Sequence, residues 1–221
     1  MQVDALDGYR LWSETYDSEP NPVVSLERRI LRKRMDDLRH RTVLDVATGT
    51  GYWLAFARGQ GARAFGLDLS PEMLRQAAAK PLVRERLILS DMHHLPFRAG
   101  AFDLTICSFA LSYVSLAADV LREMARVART VIVTDLHPEA LRAGWRRGFR
   151  SAGVHYHIRH FAHDLHAMDE CADRAGMRIN WRIEASFGPA ERDLFAAAGK
   201  LSAFAEASRV PALLSTCWGK R

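Results

Sequence analysis

The segment Val43-Leu44-Asp45-Val46-Ala47-Thr48-Gly49-Thr50-Gly51 constrains what this chain can fold into more than any other. Residues 42–46 form a short apolar run broken by one acid, the length of a buried strand rather than of a core helix. The run leads straight into a turn containing Gly49 and Gly51, and residues 52–58 read as the helix that follows. Glycines in such a turn let a ligand approach the backbone closely. The helix start beside them offers unpaired N–H groups.

The same order of short apolar run, turn and helix recurs downstream. Residues 63–68 read as a second strand. Ser70, Pro71 and Glu72 supply a cap, a first-position proline and a first-turn acid for a helix to about Ala79. Residues 86–89 read as a third strand closed by Asp91, 102–108 as a fourth and 131–135 as a fifth, with a helix marked by Leu116, Val120, Met124 and Val127 before the fifth. A helix over about 161–176, a sixth strand at 177–186, an alanine-rich helical stretch at 190–207 and a seventh strand at 212–218 complete the chain. Strands alternating with helices predict an α/β fold: a seven-stranded, mostly parallel, doubly wound sheet covered on both faces. Before the first strand, Asn21-Pro22 marks a turn, and Val23, Leu26, Ile30, Leu31 and Leu38 recur at near-helical spacing.

Charge and cysteine usage narrow the class. Lys and Arg exceed Asp and Glu by 31 to 26, yet the signs alternate, as in Glu27-Arg28-Arg29-Ile30-Leu31-Arg32-Lys33-Arg34-Met35-Asp36-Asp37. Such a stretch reads as a solvated helix face, so a nucleic-acid partner is not expected. Arg142, Arg146, Arg147 and Arg150 form a less balanced group that leaves the question open there. Cys107, Cys171 and Cys217 are odd in number and widely spaced, which fits reduced thiols in a cytoplasmic protein and no zinc motif. The N-terminus has no apolar signal core, and no apolar stretch spans a bilayer, so no membrane partner is expected. A monomer or homodimer is expected.

The acids fall where open α/β sheets bind ligands, at strand carboxyl ends. Asp68 closes the second strand, 23 residues after Asp45, and an acid there can accept both hydroxyls of a ribose. Asp91, closing the third, can reach an adenine amino group. A dinucleotide fingerprint needs glycines at its first, third and sixth positions. Counted from Ala47 the chain has Ala, Gly, Tyr, and counted from Gly49 it has Gly, Gly, Leu.

These segments resemble the class I S-adenosylmethionine-dependent methyltransferases of the small-molecule type. Residues 43–51 look like that family's first motif, and Gly66-Leu67-Asp68-Leu69-Ser70-Pro71-Glu72-Met73-Leu74 like its second. Asp91-Met92 with Leu95-Pro96-Phe97 resembles the adenine-binding turn, and residues 102–108 resemble the fourth strand. The resemblance implies a single Rossmann-like methyltransferase domain over 1–221, with an N-terminal helical lid (1–40), a core (41–186), and a helical insert with the last strand (187–221). It implies S-adenosyl-L-methionine as cofactor, its methionine part held by Asp45 and the Gly49–Gly51 backbone, its ribose by Asp68 and its adenine by Asp91 and Met92. Tyr16, Ala47, Leu69 and Ser108 complete the expected cofactor set. Ala47 stands where the family more often has glycine, a mild change if its φ is negative.

Methyl transfer needs a positioned nucleophile and excluded water, so it imposes no fixed catalytic motif. Tyr9 and Trp12 are expected in the substrate pocket and, with Tyr16, in a lid whose aromatic faces suit a sulfonium cation; Trp12, four residues before Tyr16, equally suits the helix's core face. Phe109 and Tyr113, after the fourth strand, and His157 are expected in the substrate pocket. His137, after the fifth strand, is the candidate base, its tautomer fixed by Asp135 or a carbonyl; the alternative is that it caps a turn. Five histidines lie between 155 and 166 without a cysteine or carboxylate cluster, so no metal is expected. After the fourth strand the chain reads Ser108-Phe109-Ala110-Leu111 rather than an Asn-Pro-Pro-Tyr motif for amino groups of nucleic acid or glutamine. The acceptor is therefore expected to be small, aromatic or heterocyclic, methylated at O, N, S or C. The alternatives are an S-adenosylmethionine-binding protein acting on RNA or protein, or one without catalysis.

Overall fold

In a computed structural model, residues 1–18, 20–35 and 37–221 are described. Asp36, part of the mixed-charge stretch expected as a solvated face, lies outside the described residues. In chain order the elements are β1 Gln2–Val3, α1 Ala5–Trp12, α2 Pro22–Leu31, β2 Thr42–Val46, α3 Tyr52–Gly59, β3 Arg63–Asp68, α4 Pro71–Ala78, β4 Leu87–Leu89, β5 Phe102–Ser108, α5 Ala117–Val127, β6 Ala128–Leu136, α6 Pro138–Arg142, β7 Gly148–Ser151, β8 Val154–Ile158, α7 Leu165–Arg174, β9 Met177–Ala185, α8 Pro189–Ala197, α9 Leu201–Ala207 and β10 Leu213–Lys220.

Seven strands form one sheet in the order β4-β3-β2-β5-β6-β10-β9. The first five pair parallel, and β10 runs antiparallel to both β6 and β9. Both faces are buried, which is why the strands read as continuous apolar runs. Side chains alternate between faces along each strand. Leu44, Val46, Val131 and Val133 pack with Leu121 and Met124 of α5 on one side. Val43, Ile106 and Ile132 pack with Leu54 and Ala57 of α3 on the other. The chain builds outward from β2 through β3 to β4, then crosses back to β5, so a crevice opens at the carboxyl ends of β2 and β5.

The turn after β2 fills that crevice's floor. Thr48 N donates to Leu67 O of β3 at 2.8 Å, tying the turn to the neighbouring strand. Gly49 and Gly51 have φ of 55° and 80°, and Ala47 has φ of 56°. Ala47 thus sits in the left-handed region, where a Cβ costs roughly 1–2 kcal/mol, and its replacement of glycine is not the mild change a negative φ would have made it.

A second sheet, β1-β8-β7, has no counterpart in the sequence reading. β7 and β8 form a hairpin through Ala152 and Gly153, whose φ values are 48° and 78°. Such two-residue turns normally advertise themselves with Asn-Gly or Asp-Gly, and alanine gives no such signal. The N-terminal region is therefore not purely helical: β1 pairs with β8, and α1 packs on the hairpin. Trp12 stacks on Phe149 with centroids 4.9 Å apart, and with Ile158 these rings form a small buried cluster. The helix expected over 161–176 spans Leu165–Arg174, and the alanine-rich stretch is two helices, α8 and α9.

Gly66 on β3 lies directly under the turn: a Cβ there would fall 2.7 Å from Thr48 Oγ1 and 2.9 Å from Leu54 Cδ2. Gly66→Ala should therefore cost about 1–3 kcal/mol of stability by overpacking, measured by urea unfolding, with weaker cofactor binding because Thr48 is displaced.

Candidate functional site

A cavity of about 250 Å³ opens at the carboxyl edge of the large sheet. Its floor is Ala47, Thr48, Gly49 and Thr50, and its rim carries Asp68 and Leu69 after β3, Asp91 and Met92 after β4, and Ser108 and Phe109 after β5. Tyr9 of α1, Tyr16, and Val24 and Glu27 of α2 wall it from the N-terminal side. Asn21 caps α2 by accepting from Val23 N and Val24 N at 3.0 and 3.3 Å, which fixes where the helix starts. Asp17 accepts from Thr50 Oγ1 and Lys80 Nζ at 2.9 and 2.8 Å, linking the segment between α1 and α2 to the glycine turn.

Asp45 is buried beneath the turn, and its Oδ2 accepts from Thr48 Oγ1 at 2.6 Å and Leu54 N at 2.9 Å. Burial nevertheless pushes its carboxyl up to about 7. Asp68 accepts from Gly49 N at 2.7 Å and Ser70 N at 2.9 Å, and burial raises it as well. Each of its oxygens keeps a lone pair for a ligand hydroxyl. Burial also acts on Asp91, but hydrogen bonds from the His93 backbone and ring outweigh it and hold the carboxyl below the usual range.

Nine of the ten expected cofactor residues line this one cavity: Tyr16, Asp45, Ala47, Gly49, Asp68, Leu69, Asp91, Met92 and Ser108. A Cβ at Gly49 would meet no atom within 4 Å, so the turn's backbone is bare there. Gly51 does not line it; its open side faces Ala77, 3.2 Å from where a Cβ would sit. Of the expected substrate residues, Tyr9, Phe109 and Tyr113 line the cavity, with Tyr9 Oη donating to Tyr113 Oη at 3.1 Å.

Trp12 takes the core face, packed with Phe149, and lines a second cavity rather than this one. Two assignments are corrected. His157 lies on β8, opposite Gly148 and Gln2, away from the cavity. His137 is not a wall of the cavity; it is the N-cap of α6, its Nδ1 accepting from Glu139 N at 3.1 Å. Asp135 does not hold it, because its carboxylate is taken by Ser112 N and Oγ. The His155 ring lies 4.3 Å from that of His157, and the other three histidines diverge: His160 bonds Ile158 O, His163 bonds Leu111 O and His166 faces Glu170.

The residue that sequence reasoning missed is Glu27. It is 2% exposed, and Ser108 Oγ donates to its Oε1 at 2.5 Å. Burial pushes its carboxyl up to about 7, against the pull of Ser108. Along the sequence it stands in a mixed-charge stretch that reads as a solvated face. Yet it stands four residues after Val23 and four before Leu31, so it lies in the helix's apolar stripe. Glu27, Asp45 and Asp68 all line the cavity, and none forms a salt bridge among the described residues. Three uncompensated carboxyls at one cavity fit a cationic ligand, and S-adenosylmethionine carries a sulfonium and an ammonium.

Comparison with known proteins agrees. Residues 43–130 match the family described as methyltransferase domain. The chain is 31% identical over 158 residues to a malonyl-[acyl-carrier protein] O-methyltransferase of Halorhodospira halophila, covering 65% of this chain and 52% of that protein. It is 29% identical over 142 residues to a demethylmenaquinone methyltransferase of Lactococcus lactis, covering 57% and 56%. It thus spans about half the length of the curated relatives it matches. A S-adenosylmethionine-dependent methyltransferase from Mesorhizobium loti shares the fold at TM-score 0.63 and 21% identity, over 98% of this chain and 100% of that one. Magnesium protoporphyrin IX methyltransferase from Synechocystis PCC 6803, with bound S-adenosylmethionine, shares it at 0.59 and 16%, over 90% and 78%. Over residues 43–130 the chain is similar to methyltransferase domains, and its large sheet shares the fold of S-adenosylmethionine-dependent methyltransferases, in keeping with S-adenosylmethionine as the cofactor. Among the described residues no helix is long and apolar enough to cross a membrane.

Two outcomes follow. Binding of the cationic cofactor near pH 6.5 should release protons from Glu27 and Asp45, whose carboxyls lie near 7. Calorimetry in two buffers of different ionisation enthalpy reads this directly, and the release should vanish above about pH 8.5 and be smaller with S-adenosylhomocysteine, which lacks the sulfonium charge. His137→Ala should lose roughly 0.5–2 kcal/mol of stability, the size of a lost N-cap, while cofactor affinity stays at the wild-type value in the same calorimeter.

Proposed function

We propose that this protein transfers a methyl group from S-adenosylmethionine to a small-molecule acceptor, with Glu27 as the base that takes the acceptor's proton. The observation that carries the reading is the buried Glu27–Ser108 pair inside the acid-lined cavity above the glycine turn. Bound there, the cofactor supplies an electrophilic methyl on its sulfonium. Asp68 accepts from the ribose hydroxyls and Asp91 faces the adenine, while Asp45 keeps the turn in place and contributes negative charge. The faces of Tyr9 and Tyr16 favour a sulfonium through the ring quadrupole.

Proton removal falls to Glu27 because its neighbours cannot do it. Burial pushes the Tyr113 phenol up to about 12 and raises Tyr9 as well, so both stay protonated at neutral pH. A carboxyl near 7 matches the working pH and gives general-base assistance its best balance of ionised fraction and basicity. Ser108 Oγ fixes the carboxylate's orientation by donating to Oε1. Tyr9, Tyr16 and Val24 crowd the entrance and leave room for a small molecule. The relatives' names span malonyl-[acyl-carrier protein] and demethylmenaquinone, so the acceptor has to follow from this chain's own walls. We place the protein in the cytoplasm, in keeping with three buried, unpaired cysteines.

Glu27→Gln tests the reading, with labelled methyl transfer followed across an acceptor panel. The variant should lose about 10²–10⁴-fold in turnover, a larger loss than in cofactor affinity. Wild-type turnover should rise with pH through an apparent pKa at or below about 7, and the variant's profile should be flat over that range. Stability supplies the control. Because the folded pKa is raised above the unfolded value, the Glu27 contribution is present below about 4.5 and is lost as pH rises through about 7. The variant should therefore melt higher than wild type at pH 8. Full turnover in the variant would remove Glu27 from the chemistry.

A further inference from the structure

A second cavity adjoins the first and shares Tyr16, Val24, Arg28 and Tyr52 with it. Its character is opposite. Where the inner cavity gathers acids, the outer one is lined by Arg28, Arg29, Arg32 and Arg147. Arg29 is neutralised by a two-pronged bond to the buried Glu191 at 3.1 and 3.0 Å. Among the described residues, the acid on this wall is Asp17, and it is already engaged by Lys80 and Thr50. Arg28, Arg32 and Arg147 form no salt bridge among the described residues.

Arg147 is the unusual member. It is 6% exposed, in an aromatic enclosure with its guanidinium 4.8 Å from the Phe109 centroid, 5.5 Å from Trp12 and 5.8 Å from Tyr16. Its Nη2 donates to Tyr16 Oη at 2.9 Å, and its Nη1 is buried without a partner. Arg28 repeats the pattern: it lies 3.6 Å over the Tyr52 ring with Nε buried and unpartnered. A buried cation without a carboxylate costs several kcal/mol, and ring faces offset only part of it. A chain that keeps one guanidinium so enclosed beside its substrate entrance, with a second, half-buried one next to it, has built half of an ion pair.

We propose that the methyl acceptor carries an anionic group, a carboxylate or phosphate, that binds in this outer cavity with Arg147 as its anchor and Arg28 and Arg32 as flanking charges. This rests on the methyltransferase reading and deepens it. The planar guanidinium fork matches both oxyanions. Tyr16 and Arg28 belong to both cavities, so an acceptor anchored outside extends between them, placing its nucleophile beside Ser108 and Glu27. The anchor also orients the acceptor by charge: the acid-lined inner cavity repels its anionic end and draws the cationic cofactor.

The test uses 4-hydroxybenzoate, phenyl phosphate and the neutral 4-hydroxybenzamide, titrated by NMR into the protein with and without saturating S-adenosylhomocysteine. At least one anion should bind about tenfold or more tighter than the amide, as charge-assisted hydrogen bonds provide, and the ratio between the two anions tells which oxyanion the site prefers. Arg147→Met should bring the preference close to unity with S-adenosylhomocysteine affinity unchanged, and Arg147→Lys should keep a reduced preference. Equal binding of amide and both anions by wild type, or a preference that survives Arg147→Met, overturns the proposal. The wild-type comparison and the lysine variant decide the matter if the methionine variant fails to fold. Failure of S-adenosylhomocysteine to bind would instead strike the methyltransferase reading, and the titrations made without it still judge the anchor.

Discussion

Asp45 Oδ2 accepts hydrogen bonds from Thr48 Oγ1 and Leu54 N, and most of the site depends on that one oxygen. The two donors lie on opposite sides of the glycine turn. Together they fix where β2 ends and where α3 begins. With the turn held, Gly49 N meets Asp68, and Thr48 N meets Leu67, so β3 is bound into the same frame. The carboxylate is kept in the protein interior, where burial opposes its ionisation despite both bonds. A local interaction thus aligns three elements and places under the cavity a carboxyl that ionises near neutral pH.

Charge organises the rest. Among the described residues, neither Glu27, Asp45 and Asp68 of the inner cavity nor Arg28, Arg32 and Arg147 of the outer one form a salt bridge. Glu27, Asp45 and Arg147 are the buried members, and a buried charge without a partner is costly because it loses its hydration. Glu27 and Arg147 sense each other across the boundary without forming an ion pair, and Arg147 draws the Glu27 carboxyl down against its burial. The tyrosines between them stay neutral and give the boundary aromatic faces and hydroxyl donors. The N-terminal segments supply most of this boundary. α1 and α2, peripheral to the sheet, thus wall the cavity from the side opposite the strand ends.

The strands of the large sheet and the residues at their carboxyl ends were legible because both follow from local patterns. A run such as residues 42–46, apolar on both faces, can only be buried between helix layers, and an acid or glycine just beyond it lands at the crevice. The second sheet was not legible, since β1 has two residues and the β7–β8 turn uses Ala152 where Asn or Asp would have marked it. His137 was misread for a related reason. Its place after β6 is the same by sequence whether it faces the crevice or caps the next helix, and only the bond from Glu139 N chooses between them.

The sequence by itself determined the strands of the large sheet and the helices between them, the glycine turn, and the acids Asp45, Asp68 and Asp91, because periodicity and turn chemistry act over a few neighbouring residues. Only the tertiary structure decided which charged side chains lose their water. Glu27 and Arg147 lie in mixed or basic stretches that look solvated along the chain. Packing brings α2 against Ser108 and Trp53, and carries Arg147 into the enclosure of Trp12, Tyr16 and Phe109. Desolvation depends on what covers a group from distant parts of the chain, and that is settled only when the elements meet.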